Sequence, residues 1–276
     1  MSEPAIDLQA ARTALLAAAK QLADLVQRQD DTQAPIPGSS WTVGDAMAHV
    51  IMDLRTEALV SASQEVAWAD GATATPGTPS GVTQLNARAI TVEQERDPKI
   101  LAALLMDATS EFLAASALLP ADHAMPSPYF QGDMALDLAA VTCVDIGEVV
   151  VHGHDVAVAT GQPWPISAEA AQLALRGALR LIPAYLEPSA ANHRGSYDLR
   201  VRRGPHVVIR IAHGAVTLTA PDGRPVDCHI SADPVGFLLV MYGRRSVWSA
   251  IMRGQMFGWG RRAWIAPGFK ARFRNP

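Results

Sequence analysis

The chain has 276 residues, of which 49% are hydrophobic and 18% charged, enough apolar material for a packed core and too much for a disordered chain. Its 23 Lys and Arg stand against 27 Asp and Glu, a net charge of −4, which speaks against a nucleic-acid partner. Two cysteines far apart, Cys143 and Cys228, give no disulfide framework, and there is neither a signal-like leader nor an apolar run of about 18 residues, so a cytoplasmic protein with no membrane partner is expected.

In chain order, Leu8, Leu15 and Leu22 recur every seven residues, interleaved with Ala11, Ala18 and Leu25, and predict a first bundle helix. Pro and Gly in APIPGSS close the loop that follows. Thr42 and Asp45 form a capping arrangement that starts a second helix. The run GATATPGTPSG, Gly71 to Gly81, reads as a loop. A third helix is expected from Pro98 to about Leu119, carrying Ile100, Leu104, Leu105, Phe112 and Leu113, and a fourth from about Met134 to Ala159, ended by Gly161. Four long helices predict a bundle. Beyond the linker Gln162–Pro165 the pattern changes. Ser167 to Leu186 reads as one more helix, and the strand candidates are Tyr197–Arg202, His206–Ala212, Ala215–Thr219 and Val226–Ile230. Pro221–Gly223 is turn chemistry, and short helices are expected near Pro234–Tyr242 and Val247–Arg253. The fold class is therefore an all-helical domain over 1–165 followed by a smaller mixed α+β domain over 166–276. Charge divides similarly: from Glu187 onward there are 14 Lys and Arg against 5 Asp and Glu.

The fourth helix carries the informative chemistry. Asp145, Glu148, His152 and Asp155 follow steps of three, four and three, so they line one face amid Val141, Val144, Ile146, Val149, Val150, Val151 and Val156. A polar stripe also fits a plain solvent face, but here the apolar arc is unusually wide. Buried, each of these groups would cost several kcal/mol unless paired or bound to metal. Glu148 and His152, four apart, can point at one atom. His49 in the second helix offers a third ligand, although a lone histidine there is more commonly just hydrogen-bonded. Two imidazoles and one carboxylate form a three-ligand site with an open position, the pattern of catalytic zinc.

The segment W-T-V-G-D-x-x-A-H-V, Trp41 to Val50, together with G-E-V-V-V-H-G-H-D-V-A, Gly147 to Ala157, and the A-T-G-Q-P after it, resembles the mycothiol-dependent maleylpyruvate isomerase family. The resemblance implies a DinB-like four-helix bundle and carries zinc binding to His49, Glu148 and His152. His154 stands where the family often has an aromatic residue; it is a candidate second-shell or substrate-contacting group. Asp145 and Asp155, one turn either side of the pair, are candidates for orienting the imidazoles. The segment from Asp227 to Arg245, with the R-G-Q-M-F-G-W-G-R-R that follows, is similar to sterol-carrier-protein-like domains. A late arginine is catalytic in these isomerases; Gly243–Arg244 matches best, which makes Arg244 the candidate and Arg245 the fallback.

The resemblance implies Zn2+ or another divalent metal as cofactor and mycothiol as cosubstrate, since neither cysteine suits a nucleophile. Cys143 reads as a core residue. Held as a zinc thiolate, a small thiol could add to and leave an unsaturated acid, which is cis–trans isomerisation, or displace a leaving group, which is thiol transfer or exchange. The sequence leaves both open, with a small and possibly anionic electrophile as the other partner. A non-catalytic alternative is a lipid- or small-molecule-binding protein using Phe237–Met241, Phe257, Trp259, Trp264 and Phe269 of the second domain.

Overall fold

The computed structural model describes residues 5–69, 78–130 and 132–275, and the chain divides into two compact units, Ile6–Ile166 and a second that begins at Ser167. The first is helical. Helices α1 (Leu8–Val26), α2 (Val43–Ser61), α3 (Pro79–Val92), α4 (Pro98–Ala115) and α5 (Leu138–Thr160) are joined by loops that include a short antiparallel pair, β1 (Ala124–Met125) and β2 (Leu136–Asp137).

Each helix begins as its sequence dictates. Asp7, Thr42, Thr78, Asp97 and Asp137 cap α1 to α5, each side chain accepting from a backbone N–H of the first turn. At α2 the box is reciprocal, because the Asp45 carboxylate also accepts from the Thr42 N–H at 2.9 Å. α5 ends on Gly161, whose φ of +66° is the left-handed C-cap that glycine adopts without strain.

Helices α2 and α5 are the inner elements. α5 packs against α1 and α2, and α2 also packs against α4 and α3. Both are buried nearly all round, so neither shows the single apolar stripe of a surface helix. The expected leucine stripe of α1 is present: Ala11, Leu15, Ala18, Leu22 and Leu25 are buried.

Three expectations are corrected in this unit. The fourth expected helix starts at Leu138 rather than Met134, because Leu136–Asp137 pairs as β2 and Asp137 is the cap. The third ends at Ala115, not Leu119. A further helix, α3, lies where none was expected; the predicted loop at Gly71 to Gly81 falls outside the described residues up to position 77, and Pro79–Gly81 opens α3.

The second unit is α+β. It opens with α6 (Ala168–Leu181), capped by Ser167, and continues in 3-10 turns to Tyr185. A five-stranded sheet follows in the order β5-β4-β3-β6-β7, from β3 (Gly195–Val201), β4 (His206–Ala212), β5 (Ala215–Thr219), β6 (Cys228–Ala232) and β7 (Met256–Trp259). β3 and β6 are parallel and all other pairs antiparallel. Helices α7 (Pro234–Met241) and α8 (Val247–Met252) sit between β6 and β7 in sequence. The fourth expected strand, Val226–Ile230, is shifted to Cys228–Ala232, and β7 was not expected at all.

Alternation sets the two faces of the sheet. Tyr197, Leu199, Ile209, Ile211 and Ile230 point into the core with Phe237 and Phe269, while Asp198, Arg200, His206 and His229 lie on the opposite face. Of the residues considered for a lipid site, Phe237–Met241 and Phe269 are buried core, and Phe257 and Trp264 are exposed.

Candidate metal centre

His49 lies two turns into α2, where the Thr42–Asp45 cap fixes the helical phase, and its side chain faces α5. Glu148 and His152, one turn apart on α5, face it. The His49 Nε2 atom is 3.3 Å from Glu148 Oε2, and His152 Nε2 is 3.4 Å from the same oxygen. The imidazoles stand edge to face, with centroids 5.0 Å apart and planes at 83°. Each of the three residues thus offers one donor atom, and these atoms lie within 4.8 Å of one another. Among the described residues this is the sole such group. Both histidines are buried and Glu148 is partly buried.

These spacings are long for charge-assisted hydrogen bonds, which run about 2.7–2.9 Å. They match the edge of a coordination tetrahedron: donors about 2.0–2.1 Å from a zinc ion stand about 3.3–3.4 Å from each other. Two imidazoles and one carboxylate also fill three of four positions. The donor set is therefore compatible with a divalent metal.

The electrostatics agree. Burial would raise the Glu148 carboxyl, but hydrogen bonds and charge from His152 and His49 hold it well below the usual carboxylate range, so it is anionic. Burial would lower His152, yet Asp155 and Glu148 hold it up at about 9. Asp155 Oδ2 is 3.3 Å from His152 Nδ1, the far side of the ring from Glu148. An orienting carboxylate on a metal-bound imidazole would stand in this place.

Asp145 is placed differently. It is buried, and burial followed by the charges of Glu57, Asp53 and Glu148 drives its carboxyl well above the usual range. Its Oδ2 atom has no hydrogen-bond partner among the described residues, and no imidazole contact accompanies it. Burial and these neighbouring acids favour its uncharged form. His154 is half-buried beside Asp155, with Nδ1 3.9 Å from Asp155 Oδ1, and is not in the converging group.

Sequence reasoning passed over these neighbouring acids. Asp53 and Glu57 follow His49 at steps of four on α2 and are buried; burial, with His49 opposing, puts Asp53 at about 6, and burial puts Glu57 at about 8. Asp53 Oδ2 lies 3.3 Å from His49 Nε2, and Ser127 donates to Glu57 Oε1 at 2.7 Å. The signal was present as Asp45, His49, Asp53 and Glu57, four ionisable residues at steps of four along one helix. Trp41, just before the α2 cap, was read only as part of a motif; its indole lies 5.1 Å from the His49 ring and 5.6 Å from the His152 ring.

The α5 segment that carries Glu148 and His152 is packed by Trp164. Trp164 packs its indole against Gly153 and donates to the Val150 carbonyl at 2.9 Å; a Cβ at 153 would come within 2.1 Å of it. Cys143 is core, as expected. In the second unit Arg244 donates to the Tyr242 carbonyl at 2.7 Å, and Arg245 to Gln255 Oε1 at 2.7 Å. Burial, then the charge of Arg253, lowers the Arg245 guanidinium below its ordinary value.

The family described as Mycothiol maleylpyruvate isomerase N-terminal domain matches residues 15–157. Among solved structures, the chain is similar to the mycothiol-dependent maleylpyruvate isomerase, at 16% identity and a TM-score of 0.51 over 92% of this chain and 93% of that one. It is similar also to a histidine-to-alanine mutant of that isomerase, at 14% identity and a TM-score of 0.52 over the same shares. At these identities the likeness establishes the fold. No curated protein sequence matches the chain.

Proposed function

Because the chain belongs to the mycothiol maleylpyruvate isomerase N-terminal domain family, we propose that it is a thiol-dependent enzyme whose His49, Glu148 and His152 hold a divalent metal, zinc by the nature of the donors. The observation that carries this reading is the convergence of three buried or half-buried donor atoms, from two helices, within 4.8 Å of one another, with both imidazole nitrogens 3.3–3.4 Å from the Glu148 carboxylate. A bound zinc ion would supply a Lewis acid that favours the thiolate, the nucleophilic form of an incoming thiol.

The chain's own residues set the conditions for that chemistry. Glu148 contributes one negative charge, and Asp53, at about 6 and 3.3 Å from His49 Nε2, a second near neutrality, so a divalent cation would be nearly balanced by protein carboxylates and would itself draw an anionic sulfur. Asp155, against His152 Nδ1, holds that ring with Nε2 turned inward. Burial holds the Glu57 carboxyl at about 8 and pushes Asp145 in the same direction, which limits the negative charge that would repel a thiolate. The cosubstrate is a small thiol, mycothiol by family, and the partner a small electrophile. Isomerisation of an unsaturated acid is the first reaction to test, since it is the one named for the similar solved structures; thiol transfer uses the same parts. Arg244, with Arg245 second, is assigned to the substrate's anionic group, for which a guanidinium fork is suited.

The test is metal analysis of the purified chain, alone and with His49→Ala or His152→Ala. Near-stoichiometric zinc in the parent is expected, with metal and thiol chemistry lost together in both variants. Stoichiometric zinc in the variants would refute the ligand set. Arg244→Ala should keep its zinc and thiol binding and lose turnover; unchanged turnover would remove Arg244 from the reaction.

A further inference from the structure

A histidine that ligates a metal is ordinarily fixed by its second ring nitrogen, which donates to a carboxylate, a carbonyl or water. His152 Nδ1 makes no closed hydrogen bond among the described residues, but it has the Asp155 carboxylate 3.3 Å away in that place. His49 has nothing equivalent: its Nδ1 is buried and has no hydrogen-bond partner among the described residues, while both carboxylates near it, Glu148 and Asp53, are on the Nε2 side. Some other contact must keep this ring from turning about its Cβ–Cγ bond.

We propose that Trp41 is the positioning residue for both imidazoles, its indole face standing in for the missing hydrogen bond at His49. This rests on the metal-binding reading above and deepens it. One indole spans the pair: it stacks on His152 with planes at 28° and leans on His49 at 55°, with centroids 5.6 and 5.1 Å away. Both separations fall in the range of favourable ring contacts. Rotation of either imidazole would drive its edge into the indole.

The Trp41 backbone that carries the indole is held from both sides. The Trp41 carbonyl accepts from Ile36 N–H at 2.9 Å, its own N–H donates to Ser39 Oγ at 3.1 Å, and Pro35 bridges to Thr42. Gly38, at φ +79°, makes the tight turn between them. The next residue, Thr42, is fixed by the capping box with Asp45. Trp41 is thus tied to the start of the helix that carries His49, seven residues ahead of it, so ring and ligand keep one spacing.

The test compares Trp41→Phe with Trp41→Leu in the full chain. Both keep apolar bulk at a half-exposed loop position, and only Phe keeps a ring face. Cobalt(II) is the probe, with affinity read by competition against a chromophoric chelator and geometry by the visible absorption of the bound ion. The Phe variant should bind within about threefold of the parent, with the same bands. The Leu variant should lose about 10- to 100-fold in affinity, the usual range for an outer-shell partner, and its bands should shift, while Tm without metal stays level. Parent-like affinity and spectrum in the Leu variant would overturn the proposal and leave the ligand set intact. Failure of the parent itself to bind cobalt would instead bring down the metal site, and this inference with it.

Discussion

Two clusters in this molecule combine a pair of histidines with carboxylate, one in the bundle and one on the sheet, and they differ in how far the groups satisfy each other. On the sheet, Asp198 is buried while its partners are more open. His206 Nε2 lies 2.6 Å from one carboxylate oxygen, and His229 Nδ1 lies 2.7 Å from the other, which also accepts from Arg200 at 2.6 and 2.9 Å. Burial alone would raise the Asp198 carboxyl, but Arg200, His229 and His206 hold it below its ordinary value. The cluster is complete, with each oxygen bonded, and Trp259 stacks on His229. In the bundle the corresponding distances are 3.3 and 3.4 Å, both imidazole Nε2 atoms aim at a single oxygen, and buried atoms of His49, His152, Asp53, Glu57 and Asp145 have no hydrogen-bond partner among the described residues. Histidine and carboxylate together are a weak signal. Short contacts that satisfy every oxygen mark a closed network; longer contacts converging on one oxygen, beside unpartnered buried atoms, are compatible with a place for a cation.

The comparison breaks most visibly at Glu148. Glu148→Gln keeps the shape and removes the charge, and metal affinity should fall by more than about 100-fold, beyond what outer-shell changes cost. Asp198→Asn should leave the metal content unchanged. A chelator competition on both variants decides this, and equal effects on metal would erase the distinction drawn between the clusters.

At the sheet the expected loss is stability. Asp198→Asn removes a buried charge from partners that are partly solvated, so about 1–2 kcal/mol is expected rather than the full cost of breaking a buried pair. The sign with pH follows from the lowered carboxyl. The folded chain keeps Asp198 ionised at a pH where the unfolded chain has protonated it, so the stabilisation is present above about pH 4 and is lost as pH falls through the folded value. Melting curves of parent and variant should therefore lie furthest apart near neutrality and converge in acid; a gap that widens in acid would contradict the network.

What was legible in the sequence was what periodicity encodes. The stripe Asp145, Glu148, His152, Asp155 could be read because a helix of known phase places those steps on one face, and His49 because the Thr42–Asp45 cap fixed where its helix begins. The same rule applied to His49, Asp53 and Glu57 would have exposed these buried acids. Other features had no such code. Helix α3 buries only Gly81, Leu85 and Ala89, a thin stripe of small side chains next to a Gly- and Thr-rich run, and its start looks like loop. Strand β7 is four residues long, and its pairing with β6 is non-local. The contact of Trp41 with two imidazoles depends on how a turn folds back, which residue types alone do not state. Nor did the sequence separate Asp145 from Asp155: both sit one turn from a ligand, and only the packing of α2 against α5 turns one toward other acids and the other toward His152.

The smallest expected effect separates these two aspartates. Asp155 acts on His152 in opposite directions as pH changes. Without metal, Asp155 and Glu148 keep the imidazole protonated up to about pH 9, so a metal must displace a proton, and affinity should climb with pH until about that value. With metal bound, the same carboxylate strengthens the ring as a donor. Asp155→Asn removes both influences. The proton then leaves at lower pH, which moves the knee of the affinity curve down, and the plateau above it drops by about tenfold, the lower end of outer-shell effects. At neutral pH the two changes partly cancel, so a single measurement there would understate the role of Asp155, and a titration from pH 6 to 10 is the informative one. Asp145→Asn, at a group whose uncharged form burial favours and which makes no ion pair with either imidazole among the described residues, should leave the knee where it is. A shifted knee in that variant, with none for Asp155→Asn, would reverse their assignments.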